Sequence, residues 1–401
     1  MTYKRRLLPL TIVGLIAWLL ISPQTLANHR TGKLILPELI AAADFNQDGN
    51  LDLAVNCTGF DNVAILFGDG EGSFTLGGHF ASDTLPKGLQ AGDVNRDGRL
   101  DLVTCNGWGY DETVLLGDEH GSFHSASPPN EVDGDGAPVR LLLRDLNKDG
   151  RLDIAIPALQ ESKLIILFGD GHGRFPGPSK ELDVAPNPFA LASGDLNGDG
   201  NLDIVILHPP IDTPSRLSVL LGDGTGEFTT KTMDVPASPS SVQVADLNGD
   251  GKQDLIVAGA LPENTTGCFL VTYLGDGTGN FSLQQNVDLG MGSSKGEIAV
   301  GDFNEDGIPD VAWPQTALQI HGVPPTHVFI FFGDGAGNLT AGPVLTVGEE
   351  PHTVITADLN ADGHLDLAVS NRTDGTVSCL LGDGQGNFTV SSTTSVLSLI
   401  D

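Results

Sequence analysis

The nonapeptide Asp44-Phe45-Asn46-Gln47-Asp48-Gly49-Asn50-Leu51-Asp52 sets oxygen-bearing side chains on alternate residues of one short loop, with glycine at its sixth place. The same pattern, D-x-N-x-D-G-x-x-D, begins again at Asp93, Asp145, Asp195, Asp246, Asp302 and Asp358, at steps of 49, 52, 50, 51, 56 and 56 residues. A period of this length marks a repeat architecture, so the 401 residues need not divide into the two or three domains that length alone suggests.

Short apolar runs flank every copy, such as Leu39-Ile40-Ala41-Ala42-Ala43 before the first and Leu51-Asp52-Leu53-Ala54-Val55 across its end. They are too short for helices and rich in branched residues, which predicts strands. A third run leads into a Gly-Asp turn, Phe67-Gly68-Asp69-Gly70-Glu71-Gly72-Ser73-Phe74 in the first repeat, with counterparts centred on Asp118, Asp170, Asp223, Asp276, Asp334 and Asp383. Glycines at positive φ and an aspartate capping backbone amides make such a turn a hairpin. The second copy, Asp118-Glu119-His120-Gly121, departs from the pattern and predicts a distorted turn. A fourth strand is expected from the aromatic after each turn: Phe74, Phe123, Phe175, Phe228, Phe281 and Phe388, with Leu339 as the exception.

Four antiparallel strands in about fifty residues are the size of one propeller blade. A lone blade cannot bury both of its faces, so the seven units must stack. An open solenoid needs atypical capping repeats, and the first and last repeats carry the full pattern. The expected fold is all-β, a seven-bladed β-propeller of four-stranded antiparallel blades occupying residues 28–401.

The loop spacing carries chemistry. Hard oxygen donors stand at position 1 (Asp44, Asp93, Asp145, Asp195, Asp246, Asp302, Asp358), position 3 (Asn46, Asn95, Asn147, Asn197, Asn248, Asn304, Asn360) and position 5 (Asp48, Asp97, Asp149, Asp199, Asp250, Asp306, Asp362). Position 9 completes the set with Asp52, Asp101, Asp153, Asp203, Asp254, Asp310 and Asp366. Position 7 varies freely (Asn50, Arg99, Arg151, Asn201, Lys252, Ile308, His364), as expected where the backbone carbonyl is the donor. This donor set predicts up to seven structural calcium ions. Magnesium, which keeps its waters and demands octahedral geometry, suits it less well. A metal-free Asx-type turn is the bland alternative for a single copy. Position 2 is always apolar (Phe45, Val94, Leu146, Leu196, Leu247, Phe303, Leu359), a plug into the blade core.

Composition agrees. The chain carries 20 Lys+Arg against 52 Asp+Glu, a formal net charge of −32, which argues against nucleic acid and anionic lipid as partners. Lys4-Arg5-Arg6, the uncharged run Leu7 to Ile21 and the small residues Thr25 and Ala27 read as a signal peptide over residues 1–27. The alternative is an uncleaved anchor, for which the apolar run is short. Cleavage would leave 17 basic against 52 acidic residues, or −35, with no stable membrane insertion. The expectation is a monomer, secreted or held at the cell surface or in the periplasm. Export permits disulfides. Cys57 and Cys105 fall near the same point of adjacent repeats and could pair, whereas Cys379 reads as a buried thiol.

From Leu36 to Ile400 these residues resemble the FG-GAP/VCBS-type repeats of exported proteins and the propeller head of integrin α chains. The resemblance implies that each D-x-N-x-D-G-x-x-D loop joins the first two strands of a blade and coordinates calcium. Phe-Gly occurs at Phe67-Gly68, Phe168-Gly169 and Phe332-Gly333, but no Gly-Ala-Pro follows a loop, the nearest being Ala258-Gly259-Ala260. Integrin-like signalling is therefore not implied.

Strand alternation places the loops and Gly-Asp turns on one face of the disc and the remaining connections on the other. These others vary: Asn106 to Asp111, His208 to Asp212, Leu261 to Asn264, Pro314 to His327, and Ser127 to Gly136. Recognition is usually carried by loops on a rigid scaffold. Trp108 and Tyr110 could stack on a sugar or anchor a protein partner, or Trp108 could cover a blade edge. Trp313 takes a place held by Val or Ile in other blades and reads as core. His208, His321 and His327 could gather as an acid/base or metal cluster, but solvated loop histidines are the simpler reading. The expected function is a non-enzymatic recognition or adhesion module for glycan or extracellular protein. An extracellular polysaccharide lyase or hydrolase is the alternative.

Overall fold

The computed structural model describes residues 36–107, 111–126, 139–210, 214–236, 238–260, 267–289, 296–315 and 326–397. They form 28 strands, numbered β1–β28 in chain order, in seven antiparallel sheets of four consecutive strands each. In the first blade β1 is Pro37–Ala43, β2 Asp52–Cys57, β3 Asn62–Gly68 and β4 Phe74–Ala81. The seven-bladed ring expected from the repeats is the ring observed, and no described residue is helical.

The second and third strands of a blade are buried on both faces, so they read as continuous apolar runs. Side chains of one strand alternate between its two neighbouring blades. Leu53, Val55 and Cys57 face the seventh blade, while Ala54 faces the second. Seven apolar clusters result among the described residues, one at each junction between blades. Trp313 lies in one of them, 1% exposed beside Phe331, as its place in the repeat predicts.

The same alternation removes the Cys57–Cys105 pair. Cys105 stands one place earlier in its blade than Cys57, four residues past the position-9 aspartate rather than five. A one-residue offset turns a side chain to the opposite face. Cys57 therefore faces blade seven and Cys105 faces blade three. All four cysteines are buried and free.

The ring closes without strand exchange, since the first and seventh sheets are each built from consecutive strands. Its seam is held by side chains. The Ser370 hydroxyl donates to the Glu38 carbonyl (2.7 Å), Ser392 to Gly72 O (2.9 Å) and Thr394 to Phe74 O (3.2 Å). At the seam Leu381 of blade seven covers Gly72 of blade one, where an added Cβ would lie 2.7 Å from Leu381 Cδ2. Phe168 of blade three covers Gly226 of blade four in the same way, at 2.8 Å. The last glycine of the Gly-Asp turn is thus a contact between blades as well as a residue at positive φ, 82° at Gly72 and 84° at Gly226.

In the third blade the fourth strand starts at Lys180 and not at Phe175, a correction to the sequence expectation. Pro176 and Pro178 follow Phe175 and cannot donate to a ladder, and Gly177 between them has φ +112°.

Candidate metal loops and the axial ion network

Each loop lies between the first and second strands of its blade, and the Gly-Asp turn between the third and fourth lies beside it. The position-9 aspartate joins the two. Asp52 accepts the Phe45 N–H at Oδ2 (2.9 Å) and the Gly68 N–H at Oδ1 (2.9 Å). Asp153 likewise accepts from Leu146 (2.9 Å) and Gly169 (3.0 Å). All seven position-9 aspartates are fully buried, and among the described residues no cationic side chain pairs with them. Burial raises the Asp101, Asp153 and Asp310 carboxyls to about 6 against the pull of these N–H donors.

The outer part of the loop folds on its own carboxylates. Asp44 accepts the N–H groups of Asp48 (3.1 Å) and Gly49 (2.9 Å), and Asp48 accepts that of Asn50 (2.8 Å). The other loops repeat this pattern, for example Asp195 with Asp199 and Gly200. Among the described residues no three Asp, Glu, His or Cys side chains converge into a cage, because these carboxylates are turned to the loop's own amides. The donor set nevertheless fits a hard divalent cation: four side-chain oxygens per turn, one from a buried carboxylate that backbone N–H groups hold and no cationic side chain among the described residues neutralises. Position 2 is buried in every blade, the apolar plug expected.

Position 4 was not singled out by the sequence reading. It is left-handed in all seven loops, with φ 57° at Lys148 and 58° at Ala361. Gly198 and Gly249 at that place are the signal that could have shown it. Its side chain can reach the next blade: Gln47 Nε2 donates to Gly98 O (3.3 Å), and Glu305 pairs with His364 (2.5 Å). At position 7, Arg99 and Arg151 each pair with their position-5 aspartate at 2.5 Å.

The Gly-Asp turns are capped hairpins as expected. Asp69 Oδ1 accepts from the Glu71 (2.8 Å) and Ser73 (3.0 Å) amides. The second repeat keeps this pair of bonds at Asp118, both 2.9 Å. Its difference is local: Glu119 does not take the positive φ of Gly70, and the Gly121 N–H donates to Asp118 O (3.3 Å).

Of the connections expected on the opposite face, Trp108, Tyr110 and His321 lie outside the described residues, as do 127–138, 211–213, 261–266 and 316–325. His208 is neither solvated nor part of a cluster. It is 2% exposed, with Nε2 2.7 Å from Ser218 Oγ and Nδ1 3.2 Å from Pro186 O. His327 is half-buried at the start of a strand.

The centre of that face holds a charge network that no motif announces. Glu38 pairs with Lys87 of blade two (2.7 Å) and Arg372 of blade seven (3.1 Å). Arg372 also meets Glu350 (3.5 Å), and Arg140 of blade three reaches Glu297 of blade six. Burial would raise the Glu38 carboxyl, but Lys87, Arg372 and His352 hold it down at about 2. His352 is pushed down to about 3 by burial and then by Arg372, with Arg140 and Lys87 adding to the effect and Glu38 opposing it. Both shifts have the same consequence. Each group binds fewer protons folded than unfolded, so stability is lost as pH falls, from 6.5 towards 3 for His352 and from 4.5 towards 2 for Glu38. His208, lowered to about 4 by burial, adds a parallel slope. Replacing His352 with asparagine is expected to flatten the stability profile between pH 6 and 4 by about 1.4 kcal/mol per pH unit, measured by urea unfolding. An unchanged slope would show that His352 is already protonated in the folded chain.

The FG-GAP-like repeat family matches residues 41–104, 145–206 and 195–257. These spans contain the loops at Asp44, Asp93, Asp145, Asp195 and Asp246. The ring is a propeller that carries FG-GAP-like repeats. The chain is similar to phosphatidylinositol-glycan-specific phospholipase D of Mus musculus, 29% identical over 150 residues that cover 32% of this chain and 17% of that protein. The Bos taurus enzyme matches at 29% over 148 residues, 32% of this chain and 18% of that one. The matched stretch spans less than a fifth of the length of these curated relatives. Among solved structures the chain resembles BBS1N in complex with ARL6DN. The lead-soaked crystal gives a TM-score of 0.53 at 11% identity, covering 90% of this chain and 92% of that one. The mercury-soaked crystal gives 0.54 at 10% identity, covering 88% and 91%. At these identities the likeness concerns the fold alone.

Proposed function

We propose that this FG-GAP propeller is an exported, calcium-loaded recognition module that binds glycan or extracellular protein through its variable face. What supports the reading is the division of the disc. One face repeats the same loop and the same turn in every blade, while the connections on the other differ from blade to blade. A face kept uniform by backbone geometry serves the scaffold, and variable loops on a rigid frame serve recognition.

Calcium belongs to the scaffold face. Asp, Asn, Asp and Asp at positions 1, 3, 5 and 9 would hold it with the position-7 carbonyl, and the ion would supply the positive charge that the buried position-9 carboxylates lack. Calcium at 1 mM is expected to raise the melting temperature and excess EDTA to lower it by several degrees, with magnesium less effective. Identical melting curves in calcium and EDTA would remove structural calcium.

The recognition reading is tested on a glycan and polysaccharide panel, scored both for retention and for released product. Retention lost in Trp108→Ala or Tyr110→Ala is the expected result. Shortened product from any polymer would replace the module with a lyase or hydrolase. The phospholipase D likeness covers too little of that enzyme to carry its activity here.

A further inference from the structure

We propose that the axial cavity of the ring binds a small hydroxycarboxylate, a molecule with one carboxylate and several hydroxyls, anchored by Arg144. The proposal rests on axial residues alone and stands whether or not the variable face binds glycan.

The cavity holds about 190 Å³ between the innermost strands of blades two to six, and its walls include Gln90, Arg140, Arg144, Ser193, Gln243 and Glu297. That is room for about six water molecules, the scale of a single sugar acid. Arg144 ends β9 (Leu142–Arg144), directly before the third loop. At the same place the other six blades carry Ala43, Gly92, Gly194, Ala245, Gly301 and Ala357. The guanidinium is therefore a departure from the repeat, and the scaffold is built without it in six blades of seven.

The two arginines of the cavity differ in what they hold. Arg140 is engaged by Glu297. Arg144 has no carboxylate partner among the described residues; its Nη1 donates to Leu143 O (2.8 Å) and Gln90 Oε1 (3.4 Å), and the side chain is exposed. The Nε–H and Nη2–H donors of Arg144 that these bonds do not use suit a carboxylate; the Gln90 Nε2 amide, the Gln243 Oε1 acceptor (its Nε2 donates to Ile298 O, 3.1 Å) and the Ser193 hydroxyl suit hydroxyl groups. The formal net charge of −32, with Glu297 in the wall, disfavours ligands of higher negative charge.

The test is titration calorimetry of the full chain with glucuronate, glucose and inorganic phosphate. Glucuronate is expected to bind and glucose to bind far more weakly. Arg144→Ala should weaken glucuronate at least about tenfold, the effect of losing a charged hydrogen-bond pair, with little change in melting temperature. Arg144→Gln provides a second variant that keeps side-chain length and loses the charge, and should fall equally. No heat with glucuronate, wild-type affinity for glucuronate kept by either variant, or tighter binding of phosphate than of glucuronate would overturn the proposal.

Discussion

Glu38→Ala is expected to lower the stability of the ring by about 3–5 kcal/mol, because it strands the buried Lys87 cation and takes one of two carboxylate partners from Arg372. Glu38 is 3% exposed, Lys87 7% and Arg372 9%, so water cannot replace the lost carboxylate. Arg372 keeps Glu350 at 3.5 Å, whereas Lys87 has Glu38 alone as an ion-pair partner among the described residues. Lys87 therefore carries most of the cost. The site also matters topologically. With no strand shared between the first and last blades, Glu38 ties blades one, two and seven together at the axis. Urea unfolding measures the loss, and amide exchange should localise it, with β1 and β26 (Asp366–Asn371) opening before β14 (Asp203–His208). The double change Glu38→Leu with Lys87→Met should recover much of the stability, since removing both charges leaves none unpaired. A loss under about 1 kcal/mol for Glu38→Ala would mean that the network is solvated and closes nothing.

How much of this was legible in the sequence depends on whether a feature belongs to the repeat. The blades were readable because their signals recur: the loop, the Gly-Asp turn and the apolar runs each appear seven times, and Trp313 could be placed in the core by its position in the series. At Phe175 the aromatic signal is overridden, because Pro176 and Pro178 lack the N–H donors a ladder needs and the strand starts only at Lys180. The axial network was not readable, because its members are spread over five blades and differ in type. Glu38, Lys87 and His352 each follow the proline that opens their blade, yet only the closed ring brings Arg372 and Arg140 to the same centre. His208 was misread for a related reason. Position in a connection suggested solvent, but the residue still belongs to the buried strand before it. The position-9 aspartates were read as metal donors, and the structure adds a task that spacing does not display: they clamp the loop to the turn of the same blade.

That clamp underlies the second large effect. Gly169→Ala is expected to cost roughly 3–5 kcal/mol, combining overpacking against fixed backbone with a damaged bond to a buried carboxylate. A Cβ at Gly169 would overlap the Leu152 carbonyl oxygen and lie 3.2 Å from its carbon. The obstacle is backbone, so no rotamer change relieves it. The turn must move away from the loop, which stretches the 3.0 Å bond from the Gly169 N–H to Asp153 and leaves a buried carboxylate short of a donor. Gly150, two residues before Leu152, separates this cause from backbone conformation. It has φ +80° and nothing within 4 Å of an added Cβ. Gly150→Ala should therefore cost only the left-handed penalty of about 1–2 kcal/mol. Measured side by side in EDTA, the two variants rank steric exclusion against backbone preference without a contribution from metal. Equal losses would mean that the loop and turn can part freely, and that Asp153 does not hold them together.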